Sequence, residues 1–219
     1  KTVCSGDNPN LTLTLANGLA SPTYAWPAPT YSSGTLTGGN SGSGGSITDL
    51  IVNKNTDASH TATYSVTPTA NGCDGPAENV VITVKPEPVI SNQTGTYCSD
   101  ETMDHEILLD NFASGSGVDF TWPAPAHPDI SGGSARAAQS DANITDTYTN
   151  TNSTDKTATY TITPIYDGCS GDAKDIAFTI HPEPVLDPGL DDVVCSDASI
   201  GLTLDVNATS VAASSYNVS

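Results

Sequence analysis

The feature that most constrains this chain is its likeness to itself. The residues Thr-Ala-Thr-Tyr-Ser-Val-Thr-Pro at 61–68 return as Thr-Ala-Thr-Tyr-Thr-Ile-Thr-Pro at 157–164, and Trp-Pro-Ala-Pro at 26–29 returns at 122–125, both displaced by 96 positions. Shorter matches keep nearly the same spacing: Ile-Thr-Asp at 47–49 and 144–146, Gly-Cys-x-Gly at 72–75 and 168–171, Pro-Glu-Pro-Val at 86–89 and 182–185. A third start follows, since Val-Cys-Ser at 3–5 is answered by Tyr-Cys-Ser-Asp at 97–100 and by Val-Cys-Ser-Asp at 194–197. A period of this length is the size of one small domain repeated in tandem. It divides the 219 residues into a first repeat at 1–87, lacking the start of its first strand, a complete second repeat at 88–183, and the opening strands of a third at 184–219. Both ends read as cuts through a longer chain.

Inside a copy the apolar residues alternate. Leu11, Leu13 and Leu15, Tyr24 and Trp26, Ala62, Tyr64 and Val66, and Val80, Ile82 and Val84 each fall on one face of an extended segment whose other face is Thr, Ser or Asn. No segment carries apolar residues at helical spacing. The fold class that follows is all-β: tandem immunoglobulin-like antiparallel sandwiches with essentially no helix. In the second copy strands are predicted near 88–98, 104–110, 118–122, 144–149, 157–163 and 174–181. The Gly- and Ser-rich segment 30–46 is a crossing between sheets with one short strand near 35–37. Pro86, Pro88, Pro182 and Pro184 end the last strand of each copy, because proline has no N–H to give a ladder. The connection is therefore short and stiff, and a rod-like array is predicted.

Charge excludes some partners. With six Lys and Arg against 25 Asp and Glu, a net charge of −19, the chain has no basic surface for nucleic acid or anionic lipid. The excess is uneven, six acids against three bases in residues 1–90 and fourteen against three in 91–186, as solvated surface drifts. No apolar run is long enough to insert in a membrane.

A family resemblance rests on Val-Cys-Ser ahead of a Leu-Thr-Leu strand, an aromatic-x-Trp strand, Thr-Ala-Thr-Tyr-x-Val-Thr-Pro, Gly-Cys-x-Gly and a closing Pro-x-Pro. This order resembles the PKD-like, immunoglobulin-like tandem repeats of large Bacteroidota cell-surface proteins of the gliding-motility adhesin type. The resemblance implies export to the cell surface and service in an adhesive filament, and it carries no catalytic residue.

Five cysteines occupy two kinds of position. Cys4, Cys98 and Cys195 precede the second strand of a copy, and Cys73 and Cys169 lie between its last two strands. Such regular placement points to disulfides in an oxidising compartment. Pairing within a copy joins Cys4 with Cys73 and Cys98 with Cys169. In a sandwich of the predicted topology, however, these two positions lie at opposite poles roughly 20 Å apart, whereas a disulfide needs Cα atoms within about 7 Å. Pairing between successive copies joins Cys4 with Cys169 and leaves Cys73, Cys98 and Cys195 to partners outside this sequence. Both schemes stand open on sequence alone.

Other sites weigh less. Trp26 and Trp122, with Tyr64 and Tyr160, read as core residues, the alternative being an exposed tryptophan platform for sugars in a carbohydrate-binding accessory module of a secreted polysaccharide-degrading enzyme. His60, His105, His127 and His181 share no repeat position, and no nucleophile elbow appears, so an enzyme is not expected. Glu183, Asp187, Asp191 and Asp192 supply hard oxygen ligands for calcium, against the simpler reading of solvated acids, and no other cofactor is implied. The predicted function is a non-catalytic extracellular stalk. Its partners are neighbouring repeats, other copies of the filament or surface glycans.

Overall fold

The computed structural model describes residues 1–18, 21–186, 196–197, 199, 201, 203–204, 206 and 212–216. Among the described residues there is no helix, and the ordered segments are strands throughout. Most of the third copy, including the predicted strands there, lies outside the described residues, as do Cys195, Asp187, Asp191 and Asp192.

In the first repeat the strands are β1 (Thr2–Cys4), β2 (Leu11–Thr12), β3 (Thr23–Trp26), β4 (Thr30–Tyr31), β5 (Thr37–Gly38), β6 (Gly42–Ser43), β7 (Ser46–Ile47), β8 (Ile51–Val52), β9 (His60–Ala70), β10 (Cys73–Asp74) and β11 (Glu78–Lys85). One sheet has the order β1-β11-β9-β3-β6, with β4 and β10 also pairing β9. The opposing layer is built from the short pairs β2 with β7 and β5 with β8. The central strand β9 is eleven residues long, because its Thr-Ala-Thr-Tyr-Ser-Val-Thr run supplies β-branched and aromatic residues that suit a pleated surface. The first strand runs parallel to the last, Cys4 lying opposite Lys85.

The second repeat repeats the plan with β12 (Thr94–Cys98), β13 (His105–Glu106), β14 (Asp119–Trp122), β15 (Ser131–Gly132), β16 (Arg136–Gln139), β17 (Asn143–Ile144), β18 (Tyr148–Thr149), β19 (Lys156–Tyr166), β20 (Cys169–Ser170) and β21 (Lys174–His181). Its main sheet has the order β12-β21-β19-β14-β16. Again the first strand is parallel to the last, Cys98 opposite His181.

The cores follow the predicted alternation. Ile47, Ala62, Tyr64, Ile82 and Val84 are fully buried in the first repeat, and Ile144, Ala158, Tyr160, Ile162, Ile176 and Phe178 in the second. Each large apolar side chain of this kind contributes about 1.5–3 kcal/mol. Leu11, Leu13 and Leu15 are only partly buried against that core, and their ladder is two residues long. The predicted strand 144–149 is broken into two short pieces. Asp146 sits between them, where its carboxylate accepts the Tyr160 hydroxyl at 2.6 Å. Asp49 does the same for Tyr64 at 2.9 Å. The crossing at 30–46 holds β4, β5 and β6 where a single strand near 35–37 is expected, the nearest to it being β5 at 37–38.

By spatial contact the chain separates into two compact units, one of Lys1–Ser91, Leu108–Phe120 and Thr163–Asp172, the other of Asn92–Ile107, Thr121–Ile162 and Ala173–Ser219. The first unit thus includes a loop and a hairpin that belong in sequence to the second repeat.

Candidate functional site: the linker socket of the first unit

The first unit holds a cluster of specific interactions between residues distant in sequence. It is built by a hairpin and a proline-bounded strand end. Strands β19 and β20 are joined by Asp167 and Gly168 alone, both with positive φ, 48° and 78°. Asp-Gly suits this two-residue turn, which needs left-handed backbone at both positions. The turn fixes Tyr166 opposite Cys169, and Cys169 is 1% exposed. Across from it, the parallel register of β1 on β11 places Cys4 beside Lys85.

Cys4 and Cys169 are joined by a disulfide, with Cα atoms 5.5 Å apart and a sequence separation of 165. With Cys4 and Cys169 bonded to each other, neither pairs within its own copy, so the scheme of Cys4 with Cys73 and Cys98 with Cys169 does not hold in this structure. Cys73 and Cys98 are exposed thiols.

Charge reinforces the bond. Lys85 donates through Nζ to the Asp167 carbonyl at 2.9 Å and pairs with its carboxylate at 2.9 Å. Lys54 bridges two acids, Asp172 at 2.8 Å and the buried Glu87 at 2.9 Å. Its ammonium is held above the ordinary lysine range by the hydrogen bonds it donates to Asp172 and Glu87, against the opposing pull of desolvation. A carboxylate as buried as Glu87 is tolerable only with such a partner. Two of the six cations of the chain therefore stand at this one place.

The linker itself is gripped through its backbone. Asn111 accepts the Val89 N–H at 3.0 Å through Oδ1 and donates through Nδ2 to the Glu87 carbonyl at 2.8 Å. Asn53 accepts the Glu87 N–H through its own carbonyl at 3.0 Å. Ile90 bridges Leu109, the Asp110 N–H reaches the Val89 carbonyl at 2.8 Å, and the Pro88 carbonyl lies against Gly171. Phe112 meets Tyr166 edge to face, ring centroids 4.7 Å apart. Pro86, Glu87, Pro88 and Ile90 are all buried as a result. Sequence reading found the cysteines but not Lys54, Lys85, Asp167, Asp172, Glu87 or Asn111. The scarcity of cations was the available signal.

The remaining candidates are placed as follows. Trp26 is 8% and Trp122 5% exposed, and Tyr64 and Tyr160 are fully buried. Trp122 donates through Nε1 to the Ser134 carbonyl at 2.9 Å and is covered by the Arg136 guanidinium at 4.6 Å. Neither ring offers a bare face on which a sugar ring would stack. The histidines are scattered: His105 against Phe178, His127 against Tyr148, His181 with Asp155, His60 at the start of β9. Burial lowers the His105 imidazole from its ordinary value. Among the described residues no group of three or more His, Cys, Asp or Glu is arranged to hold a metal. Of the calcium candidates only Glu183 is described, and it is exposed. Among the described residues no helix is long and apolar enough to cross a membrane.

The PKD-like domain family matches residues 1–88 and again 95–184. The chain belongs to the PKD-like domain family. No curated protein matches it. Among solved structures, mouse cadherin-23 EC22-24 is 14% identical with a TM-score of 0.27, spanning 84% of this chain and 63% of that one. Human CDH23 EC21-23 is 12% identical, TM-score 0.29, spanning 94% and 82%. The fibronectin(III)-like modules of Clostridium thermocellum CbhA are 10% identical, TM-score 0.26, spanning 83% and 90%. PKD-like domains are typically extracellular and non-catalytic, and the two matched stretches make this chain a tandem repeat of them.

Proposed function

We propose that the chain is a non-catalytic segment of a large cell-surface protein, in which each PKD-like repeat is fastened to the next so that the array acts as a stiff stalk or filament body. Division at 1–87, 88–183 and 184–219 belongs to this reading, as does service in an adhesin of the gliding-motility type with a weakly adhesive surface along its length. The observation that carries it is the Cys4–Cys169 bond, which links successive 96-residue copies where proline, Asn111 and two lysines already grip the connecting segment. A disulfide between copies adds nothing to a catalytic pocket; its effect is to fix copies to one another. Neighbouring repeats are then the principal partners, with other filament copies and surface glycans as candidates along the flanks.

Small-angle scattering tests the reading. The oxidised chain is expected to give a single narrow maximum dimension. The Cys4→Ala/Cys169→Ala chain is expected to give a broadened distribution while its circular dichroism stays that of a folded β protein. A distribution as broad for the oxidised chain as for the variant would refute the stalk. Tight glycan binding abolished by Trp26→Ala in a folded chain would favour the carbohydrate-binding module instead.

A further inference from the structure

The Cys4–Cys169 bond is not equally reachable from its two ends. Cys169 is 1% exposed, closed in by the two-residue turn that precedes it, whereas Cys4 is half-buried at the end of an edge strand. Beside Cys4 lies an open cavity of about 460 Å³, lined by Thr2, Val3, Cys4, Asp7, Asn8 and Lys85. Its position does not depend on the chain ahead of Lys1. Residues ahead of Cys98 run back along β21, Thr94 opposite Ala177 and Cys98 opposite His181. Those ahead of Cys4 run back along β11 in the same way, Thr2 opposite Thr83 and Cys4 opposite Lys85. The cavity lies at the other end of the strand, where the chain turns after Cys4.

This cavity presents one charge of each sign. Asp7 is set there by a tight turn, in which its N–H donates to the Cys4 carbonyl at 3.1 Å and Gly6, with φ of 74°, donates to the Ile51 carbonyl at 2.8 Å. Lys85 is set there by the parallel register of β1 on β11. Its ammonium holds the Asp167 carbonyl and carboxylate, both at 2.9 Å, and an ammonium has a third N–H to give. A basic side chain stands across from the first-strand cysteine in both copies, Lys85 from Cys4 and His181 from Cys98.

We infer that this cavity is an exchange site for a small zwitterionic thiol of the cysteine type, through which the bond between copies is opened and closed. Asp7 takes the ammonium of the thiol, Lys85 takes its carboxylate, and the sulfur is delivered to Cys4. The step is thiol–disulfide exchange. The ligand thiolate attacks the Cys4 sulfur and forms a bond to it; the Cys4–Cys169 bond breaks, and its electron pair leaves on Cys169, which takes up the proton the ligand gave up. A second ligand thiolate attacks the mixed disulfide and expels Cys4. Two ligand thiols are thus oxidised to one small disulfide while the protein disulfide is reduced to two thiols. Run backwards, with the small disulfide as oxidant, the same site closes the junction. The inference rests on the bond that carries the stalk reading and gives that bond a point of control.

The test uses the full chain carrying Cys73→Ser, Cys98→Ser and Cys195→Ser, which leaves the one disulfide and no other thiol. It is opened under native conditions by cysteine, by N-acetylcysteine, which lacks the ammonium, and by cysteamine, which lacks the carboxylate. Each rate is scaled to that of the same thiol on a short peptide disulfide, and early products are quenched in acid and located by mass spectrometry. Adducts on Cys4 should exceed those on Cys169 by about tenfold, because exchange follows access to the sulfur attacked. Cysteine should outpace both analogues by about threefold, the size of an exposed ion pair. The net charge of −19 by itself draws cysteamine over cysteine, so the opposite order reports on the cavity. Asp7→Asn should remove only the advantage over N-acetylcysteine, and Lys85→Met only the advantage over cysteamine, with Lys85→Arg restoring it. Lys85→Met also frees the Asp167 turn, but that speeds all three thiols alike and cancels in the ratios. Adducts shared equally between the two sulfurs, or ratios that Asp7→Asn or Lys85→Met leaves unchanged, overturn the inference. Neither result touches the stalk reading, which fails instead on a broad scattering profile of the oxidised chain.

Discussion

Removing the Cys4–Cys169 bond is the most informative perturbation of this molecule. In the chain-entropy treatment, a cross-link across 165 positions denies the unfolded chain about 5 kcal/mol of conformational freedom. Measured disulfides often deliver less, and the bond also positions Lys85 on Asp167, so a loss of about 3–5 kcal/mol is expected for Cys4→Ala/Cys169→Ala. Alanine is the right replacement because Cys169 is 1% exposed and a serine hydroxyl there would add an unrelated desolvation penalty. At about 2–4 °C per kcal/mol for a chain of this size, 3–5 kcal/mol lowers the melting midpoint by roughly 6–20 °C. Calorimetry on the oxidised parent and the variant reads this directly, with urea unfolding as a second measure. A variant midpoint within a degree or so of the parent would refute the reasoning, because a bond spanning so much chain cannot be thermodynamically silent if both of its ends are held in folded structure.

Three further outcomes are expected. Asn111→Ala leaves the Val89 N–H and the Glu87 carbonyl without their side-chain partner and should cost about 1–3 kcal/mol in urea unfolding, with Cys4 and Cys169 still bonded by mass spectrometry. Gly171→Ala should be destabilising by about 1–3 kcal/mol through overpacking against the Pro88 carbonyl, while Gly75→Ala stays within about 0.5 kcal/mol of the parent. Stability should fall steeply in alkali: burial raises Tyr160, with help from its hydrogen bond to Asp146, and pushes Tyr148 up to about 12. The unfolded chain therefore loses these phenolic protons near pH 10 while the folded chain keeps them, so the stabilisation is complete below pH 10 and is lost as pH rises above it. A denaturation midpoint flat from pH 9 to pH 11.5 would contradict that assignment.

What was legible in the sequence was whatever occurs twice. The 96-residue period, the alternation through Tyr64 and Val66, and the prolines closing each copy all report on the shared fold, because the same burial pattern is written in both copies. The two kinds of cysteine position were visible for the same reason, and strand direction alone separated their poles. Residues that occur once were silent. Lys54 has Thr151 as its counterpart and Asp172 has Pro76, so the ion pair across the linker leaves no periodic trace. The break in the predicted strand at 144–149 was hidden differently: Asp146 looks like any acidic turn residue until Tyr160 is seen to aim its hydroxyl at it. Asn17 and Asn111 do recur, but in a chain so rich in asparagine the coincidence has no weight without the linker between them.

The disulfide also decides where pulling force travels. Tension applied to the two ends of the chain enters along β1, crosses from Cys4 to Cys169 through the sulfur atoms, and leaves along β21. The residues between the two cysteines are bypassed and bear no load. Fully extended they would add about 550 Å of length, which stays in reserve for as long as the bond holds and is released only by its reduction. Pulled in this way, the chain would resist extension up to the strength of a covalent bond, with the redox state of its surroundings setting how far it can stretch.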